Sequence, residues 1–236
     1  MKTIGLIGGM SWESSLEYYR LINQEVKQRL GGFHSARCLM YSVDFAEIEA
    51  YQSSGQWQAA AAALTSAAQA LERGGADCLV LCTNTMHKVA DDIQAGVNIP
   101  LLHIADAAGQ AVVARGMPRV GLLGTRFTME EAFYIDRLEQ HFNLDVLVPE
   151  AAERQEVDRV IYHELVLGVI DPPSRQRYVE IIARLAERGA QGVILGCTEI
   201  GLLVKPPDCP IPLFDTTALH ALAAVDFAIR GSSPAG

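Results

Sequence analysis

Apolar residues arrive along this chain in short, nearly unbroken runs, at positions 3–7, 38–43, 78–81, 120–123, 144–148 and 192–195. Between them lie longer stretches with helical spacing, at roughly 13–30, 56–73, 104–114, 129–142, 154–167 and 173–188. Runs that are apolar throughout, rather than at every second position, predict strands buried on both faces. A mainly parallel sheet flanked by helices is therefore expected, in the alternating cadence of an α/β protein. Five alanines at 59–63 need no further explanation than high helix propensity.

The halves of the chain echo one another. Ile4-Gly5-Leu6-Ile7-Gly8 matches Val120-Gly121-Leu122-Leu123-Gly124 at a spacing of 116, and the stretch 75–85 matches 189–199 at a spacing of 114. Ile99-Pro100-Leu101-Leu102 matches Ile211-Pro212-Leu213-Phe214 at a spacing of 112, so the correspondence drifts by only four residues. Two α/β lobes related by an approximate twofold axis follow, an N-terminal lobe over 1–114 and a C-terminal lobe over 115–236, with a crossover of the C-terminal segment left open. In this alignment Thr83 and Cys197 are counterparts. The tail 231–236, rich in Gly, Ser and Pro, is expected to fray.

Composition narrows the function. The chain has 236 residues, half of them hydrophobic, enough for a sizeable core. Its net charge of −9 argues against a general electrostatic grip on nucleic acid or anionic lipid, while leaving room for a local cationic pocket. The first apolar run is followed by Ser11-Trp12-Glu13 rather than by a cleavage site, and reads as a strand, not a signal peptide. Glu199 interrupts the most apolar segment well short of the roughly 20 residues of a membrane helix. A cytoplasmic protein is expected. Cys38, Cys78, Cys82, Cys197 and Cys209 are odd in number and contain no CxxC pair, which disfavours a disulfide framework and a structural zinc site.

Ligands of parallel sheets sit beyond the carboxyl ends of the strands. Thr83 and Cys197 fall there, and two lobes facing one another would place these side chains on opposite sides of one ligand, with the active site between the lobes. That geometry suits inversion at a carbon, where one group removes a proton from one face and another delivers a proton to the other. A free thiol has a pKa near 8.5, close enough to neutrality to supply a thiolate base. Asn84, Thr85 and Thr198 stand where following helices begin and can bind a carboxylate. Glu199 can orient the thiol, accept an ammonium or cap a helix. The junction loops 8–11 and 124–126 fit neither GxGxxG nor GxxxxGK[ST], so nucleotide binding lacks support.

With Gly8-Gly9-Met10, Thr83-Asn84-Thr85-Met86-His87 and Gly196-Cys197-Thr198-Glu199, the chain resembles over its whole length the cofactor-independent aspartate/glutamate racemases. Within that family, 81–88 and 196–203 are similar to a subgroup from enteric bacteria described as broad-specificity amino-acid racemases. The resemblance implies racemisation of free amino acids without pyridoxal phosphate or metal, Cys197 as one acid/base residue, and a homodimer. It implies substrate contacts from Met10, Gln52, Asn84, Thr85 and Thr198, and the junction loop adds Thr125. The departure is Thr83, where most of the family has its first cysteine. A hydroxyl can donate or relay a proton but is a poor base, so slow or directionally uneven catalysis is expected. Adjacent Cys82 should point to the opposite face, into the core. Cys38, Cys78 and Cys209 read as structural, His87 as a supporting residue, and His103 and Asp215 as packing or capping groups in equivalent places. Arg126, Lys88 and Gln52 are candidates for holding a distal substrate group. Decarboxylation of a malonate-like acid and non-catalytic amino-acid binding are the competing readings.

Overall fold

The strands β1 (Thr3–Gly8) and β3 (Cys78–Leu81) are buried almost throughout, as unbroken apolar runs require. The computed structural model describes residues 1–230, and the expectation of a frayed tail lies outside the described residues. In chain order the other elements of the first half are α1 (Trp12–Leu30), β2 (Arg37–Ser42), α2 (Phe45–Ser53), α3 (Trp57–Arg73), a 3-10 turn (Thr85–Val89), α4 (Ala90–Ala95) and β4 (Leu101–Leu102). There follow α5 (Ile104–Ala114), β5 (Arg119–Gly124), α6 (Arg126–Glu130), α7 (Ala132–Phe142), β6 (Asp145–Leu147), α8 (Ala151–His163) and α9 (Pro172–Glu187). The chain ends with β7 (Val193–Gly196), α10 (Ile200–Leu203), β8 (Leu213–Asp215) and α11 (Thr216–Ile229), with single 3-10 turns at Leu165–Leu167 and Pro206–Asp208.

The strands form two parallel four-stranded sheets, in the orders β2-β1-β3-β4 and β6-β5-β7-β8. The identical order is the structural form of the sequence repeat, with β3 and β7, which precede Thr83 and Cys197, as counterparts. Two units result: Met1–His103 together with the chain from His220, and Ile104–Leu219. The boundary therefore differs from a division at 114/115. Residues 104–114 form α5, whose Ile104, Ala105, Ala108 and Val112 pack with Val120, Leu122, Tyr134 and Leu138 of the second unit. The end of the chain returns to the first unit, where Ala221, Ala224, Val225 and Ala228 of α11 pack with Ile4, Leu6, Val80 and Tyr18.

The turn out of β1 depends on glycine. Gly9 has φ of +94°, and a Cβ there would lie 2.2 Å from the carbonyl oxygen of Val43. Ser11 then caps α1, its hydroxyl accepting the Ser14 N–H at 3.2 Å. In the second unit Gly124 pairs with Gly196, and a Cβ on Gly124 would stand 2.7 Å from the Gly196 carbonyl oxygen. Thr125 and Cys197 thus begin from neighbouring strand ends.

Candidate active site

The first unit gathers Met10, Gln52, Thr83, Asn84 and Thr85, all buried, at and near the carboxyl ends of β1 and β3. Both main-chain polar groups of Thr83 are held. Its N–H donates to the Leu81 carbonyl at 2.8 Å, and its carbonyl accepts from His87 Nδ1 at 2.8 Å. Its hydroxyl has no hydrogen-bond partner among the described residues and is available to a ligand. Asn84 begins the 3-10 turn, accepting the His87 N–H on its carbonyl at 3.0 Å. Ser15, which the sequence did not single out, accepts the Gly9 N–H at 2.7 Å, and Ser14 donates to the Cys82 carbonyl at 3.1 Å. These two hydroxyls tie the β1 loop to the residue before Thr83 through the start of α1; the serines at 11, 14 and 15 were their only signal.

Met10 packs into the apolar cluster with Ile7, Ile48, Leu81 and Met86. Gln52 donates from Nε2 to Met86 Sδ at 2.9 Å. Cys82 is fully buried in the core cluster with Ile4, Leu6 and Ala221, Ala224, Val225 and Ala228 of α11, as expected. Burial drives its thiol far above the ordinary range.

In the second unit Cys197 follows β7, and its Sγ–H donates to Glu199 Oε2 at 3.1 Å. The same oxygen accepts the Thr198 hydroxyl at 2.6 Å. All three residues are buried. Burial first, and the Glu199 carboxylate second, push the Cys197 thiol well above its ordinary value, so the ligand-free site holds a protonated thiol. The Thr125 oxygen caps α6, accepting the Thr128 N–H at 3.4 Å. Asp215 caps α11, accepting from the N–H groups of Thr217 and Ala218 at 2.9 and 3.3 Å. His103 instead lies edge-on to His87 with ring centres 4.5 Å apart.

Of the three candidates for a distal group, Gln52 and Lys88 are engaged locally: Lys88 Nζ stands 3.9 Å above the Trp57 ring. Arg126 lies against the Phe127 ring at 5.2 Å, has no ion pair among the described residues, and lines a cavity of about 460 Å³ with Glu130, Arg154 and Asp158. Among the described residues no group of three or more His, Cys, Asp or Glu is placed to hold a metal ion. None of their helices is long and apolar enough to cross a membrane.

Two parallel sheets in the same strand order, each ending in a cluster of buried polar residues, define an α/β protein of duplicated design. Residues 7–224 match the Asp/Glu/Hydantoin racemase family, and the chain belongs to that family. A Yersinia pestis protein provisionally described as an Asp/Glu racemase is 54% identical, with 97% of this chain and 100% of that one covered and a TM-score of 0.91. An aspartate racemase homologue from Pyrococcus horikoshii is 36% identical over 97% of this chain and 99% of its own, with a TM-score of 0.84. The broad-specificity amino-acid racemase RacX of Bacillus subtilis is 25% identical over 166 residues, 69% of this chain and 70% of RacX.

Proposed function

We propose that the protein racemises free amino acids without pyridoxal phosphate or metal, with Cys197 serving one face of the α-carbon and Thr83 the other. The observation that carries this reading is the occurrence of a thiol and a hydroxyl at equivalent strand ends of a duplicated fold, in a racemase family. Glu199 gives the thiol proton a place to go. Transfer from Sγ to Oε2 leaves a thiolate beside a neutral carboxylic acid, and the ammonium of an arriving substrate favours that charge. The thiolate takes the α-proton, Asn84 and Thr85 hold the α-carboxylate on which negative charge grows, and the Thr83 hydroxyl gives its proton to the opposite face. Solvent returns a proton to Thr83 as neutral Glu199 releases one to solvent, which restores the thiol, carboxylate and hydroxyl of the starting state. The reverse passage asks Thr83 to act as base.

The equilibrium constant between enantiomers is one, so kcat/KM must be equal for the two directions. The poor basicity of Thr83 therefore shows as unequal kcat values matched by unequal KM values. Arg126, which has no ion pair among the described residues, is the candidate for a distal carboxylate of aspartate or glutamate, and a homodimer belongs to the same proposal.

The test is incubation in heavy water with L- and D-aspartate, glutamate and homoserine, following α-proton loss by NMR and enantiomers by chiral chromatography. Inversion with deuterium entering the α-position is expected, independent of added pyridoxal phosphate. Thr83→Ala and Cys197→Ser are each expected to lower it by about 10²-fold or more, the usual scale for a general acid or base. Absence of exchange in every substrate sinks the proposal, and carbon dioxide release from a malonate panel would put a decarboxylase in its place.

A further inference from the structure

Behind Thr83 lies a cluster of two buried imidazoles, a half-buried third, His103, and a buried phenol that the proposed reaction does not use. His87, from the 3-10 turn, is 3% exposed; Tyr18, from α1, and His220, from α11, are fully buried. Their proton positions follow from their partners. A carbonyl oxygen can only accept, so His87 Nδ1, 2.8 Å from the Thr83 oxygen, and His220 Nε2, 2.7 Å from the Leu102 oxygen, both carry hydrogen. In neutral His220 this leaves Nδ1 as an acceptor, and the Tyr18 hydroxyl, 2.9 Å away, donates to it. The His87 ring is wedged edge-on against His103, with centres 4.5 Å apart, and against His220 at 5.7 Å. Tyr18 meets His220 edge-on at 5.6 Å.

These contacts converge on one strand end. Leu102 of β4 pairs with Val80 of β3, the strand that delivers Thr83. The chain leaves the first unit after His103 and re-enters it at His220, so the cluster also anchors the returning segment. The Thr83 N–H is already fixed to Leu81, and His87 fixes the carbonyl. With both ends of the residue held, the hydroxyl is left with little freedom beyond its own side-chain torsion.

We propose that His87 is a positioning residue for the Thr83 half of the reaction: its Nδ1–H clamps the Thr83 carbonyl, and the Tyr18–His220–Leu102 chain with the His103 ring fixes the His87 ring from behind. This rests on the proposed racemase reading. Proton removal by Cys197 does not need the clamp; delivery of a proton by Thr83 does. The two steps can be read separately with the stereoisomers of 3-chloroaspartate. Once the α-proton has passed to the Cys197 thiolate, the C–Cl bond breaks, chloride leaves with the bonding electrons, and the enamine hydrolyses to oxaloacetate and ammonium. Elimination needs one base, whereas racemisation needs both half-sites.

In His87→Ala, aspartate racemisation is expected to fall about 10- to 100-fold, the scale set by a misplaced reacting group, while elimination from the isomer that Cys197 deprotonates stays within about twofold. His87→Asn puts an amide N–H near the Nδ1 position and is expected to restore most of the racemisation. His87→Gln places its amide at the Nε2 position and is expected not to. Equal loss of racemisation and elimination, unchanged racemisation in His87→Ala, or equal rescue by Asn and Gln overturns the clamp. The Asn and Gln pair decides the matter even where the alanine variant does not fold. A wild-type protein that exchanges the α-proton of no amino acid in the panel removes the racemase reading itself, and the clamp with it.

Discussion

Glu199 has two opposed effects on Cys197. Its charge, added to burial, holds the thiol protonated in the ligand-free protein, yet its Oε2, 3.1 Å from Sγ, is the acceptor for the proton that leaves in the proposed reaction. Replacing Glu199 with glutamine removes the charge while keeping a hydrogen-bonding oxygen. The thiol then becomes more acidic, and each unit of lowered pKa multiplies the thiolate fraction by about ten. We therefore expect Glu199→Gln to increase alkylation of the 197-containing peptide by iodoacetamide at pH 8 by roughly three- to tenfold, read by mass spectrometry, while racemisation falls. Faster alkylation with faster turnover would mean that the carboxylate only restrains the thiol. An unchanged alkylation rate would mean that its charge does not reach Sγ. The sequence made Cys197 legible because the repeat aligned it with Thr83, but not the sharing of one Glu199 oxygen between a thiol and the Thr198 hydroxyl. That depends on side-chain torsions no spacing encodes.

At the scale of elements, the site rests on tight strand ends. Alanine at Gly9 meets both an unfavourable positive φ and the Val43 carbonyl oxygen at 2.2 Å, and the loop cannot yield without moving the Ser11 cap and the Gly9 N–H bond to Ser15. Gly9→Ala is expected to cost about 1–3 kcal/mol from backbone conformation alone, with the steric clash added, read as a lowered urea midpoint. A midpoint equal to wild type would show that this turn relaxes freely. Such glycines were legible as flexible loop residues, and β1, β2, β3, β5, β6 and β7 fall where their apolar runs placed them. The helices were harder. The expected helix over 129–142 is broken at Glu131, whose extended backbone separates α6 from α7. α11 escaped notice because it is apolar nearly all round, so it lacks the one-sided stripe by which a helix announces itself. β4 and β8 are short and each directly follows a proline, Pro100 and Pro212, which interrupts the apolar run that would have marked them. His220 was hidden with α11, and with it the cluster behind Thr83.

For the whole molecule, the repeat revealed two similar units but not the exchange of segments that builds them. A period in sequence reports duplicated elements; it cannot report that 104–114 packs forward and the end of the chain packs back. Both units hold buried or half-buried thiols that the proposed reaction does not use, and these make the fold sensitive to alkali. Burial pushes Cys38 and Cys78 of the first unit up to about 11 and about 12, and Cys209 of the second up to about 11. An unfolded thiol titrates near 8.5. Because the folded values are raised, the stabilisation is fully present below about pH 8.5. It is lost as the pH climbs towards 11 to 12, since the unfolded chain releases protons that the folded chain retains. Buried Tyr134 and Tyr178 are shifted in the same direction and extend the loss to higher pH. The urea midpoint should therefore be level between pH 7 and 8 and decline steadily from pH 9 to 10.5. Cys78→Ala should lower the level at every pH through the cavity it leaves, yet flatten the decline, and Cys38→Ala combined with Cys209→Ala should flatten it further. A decline of the same slope in all three proteins would assign the alkaline loss to lysine and tyrosine charges instead of these thiols.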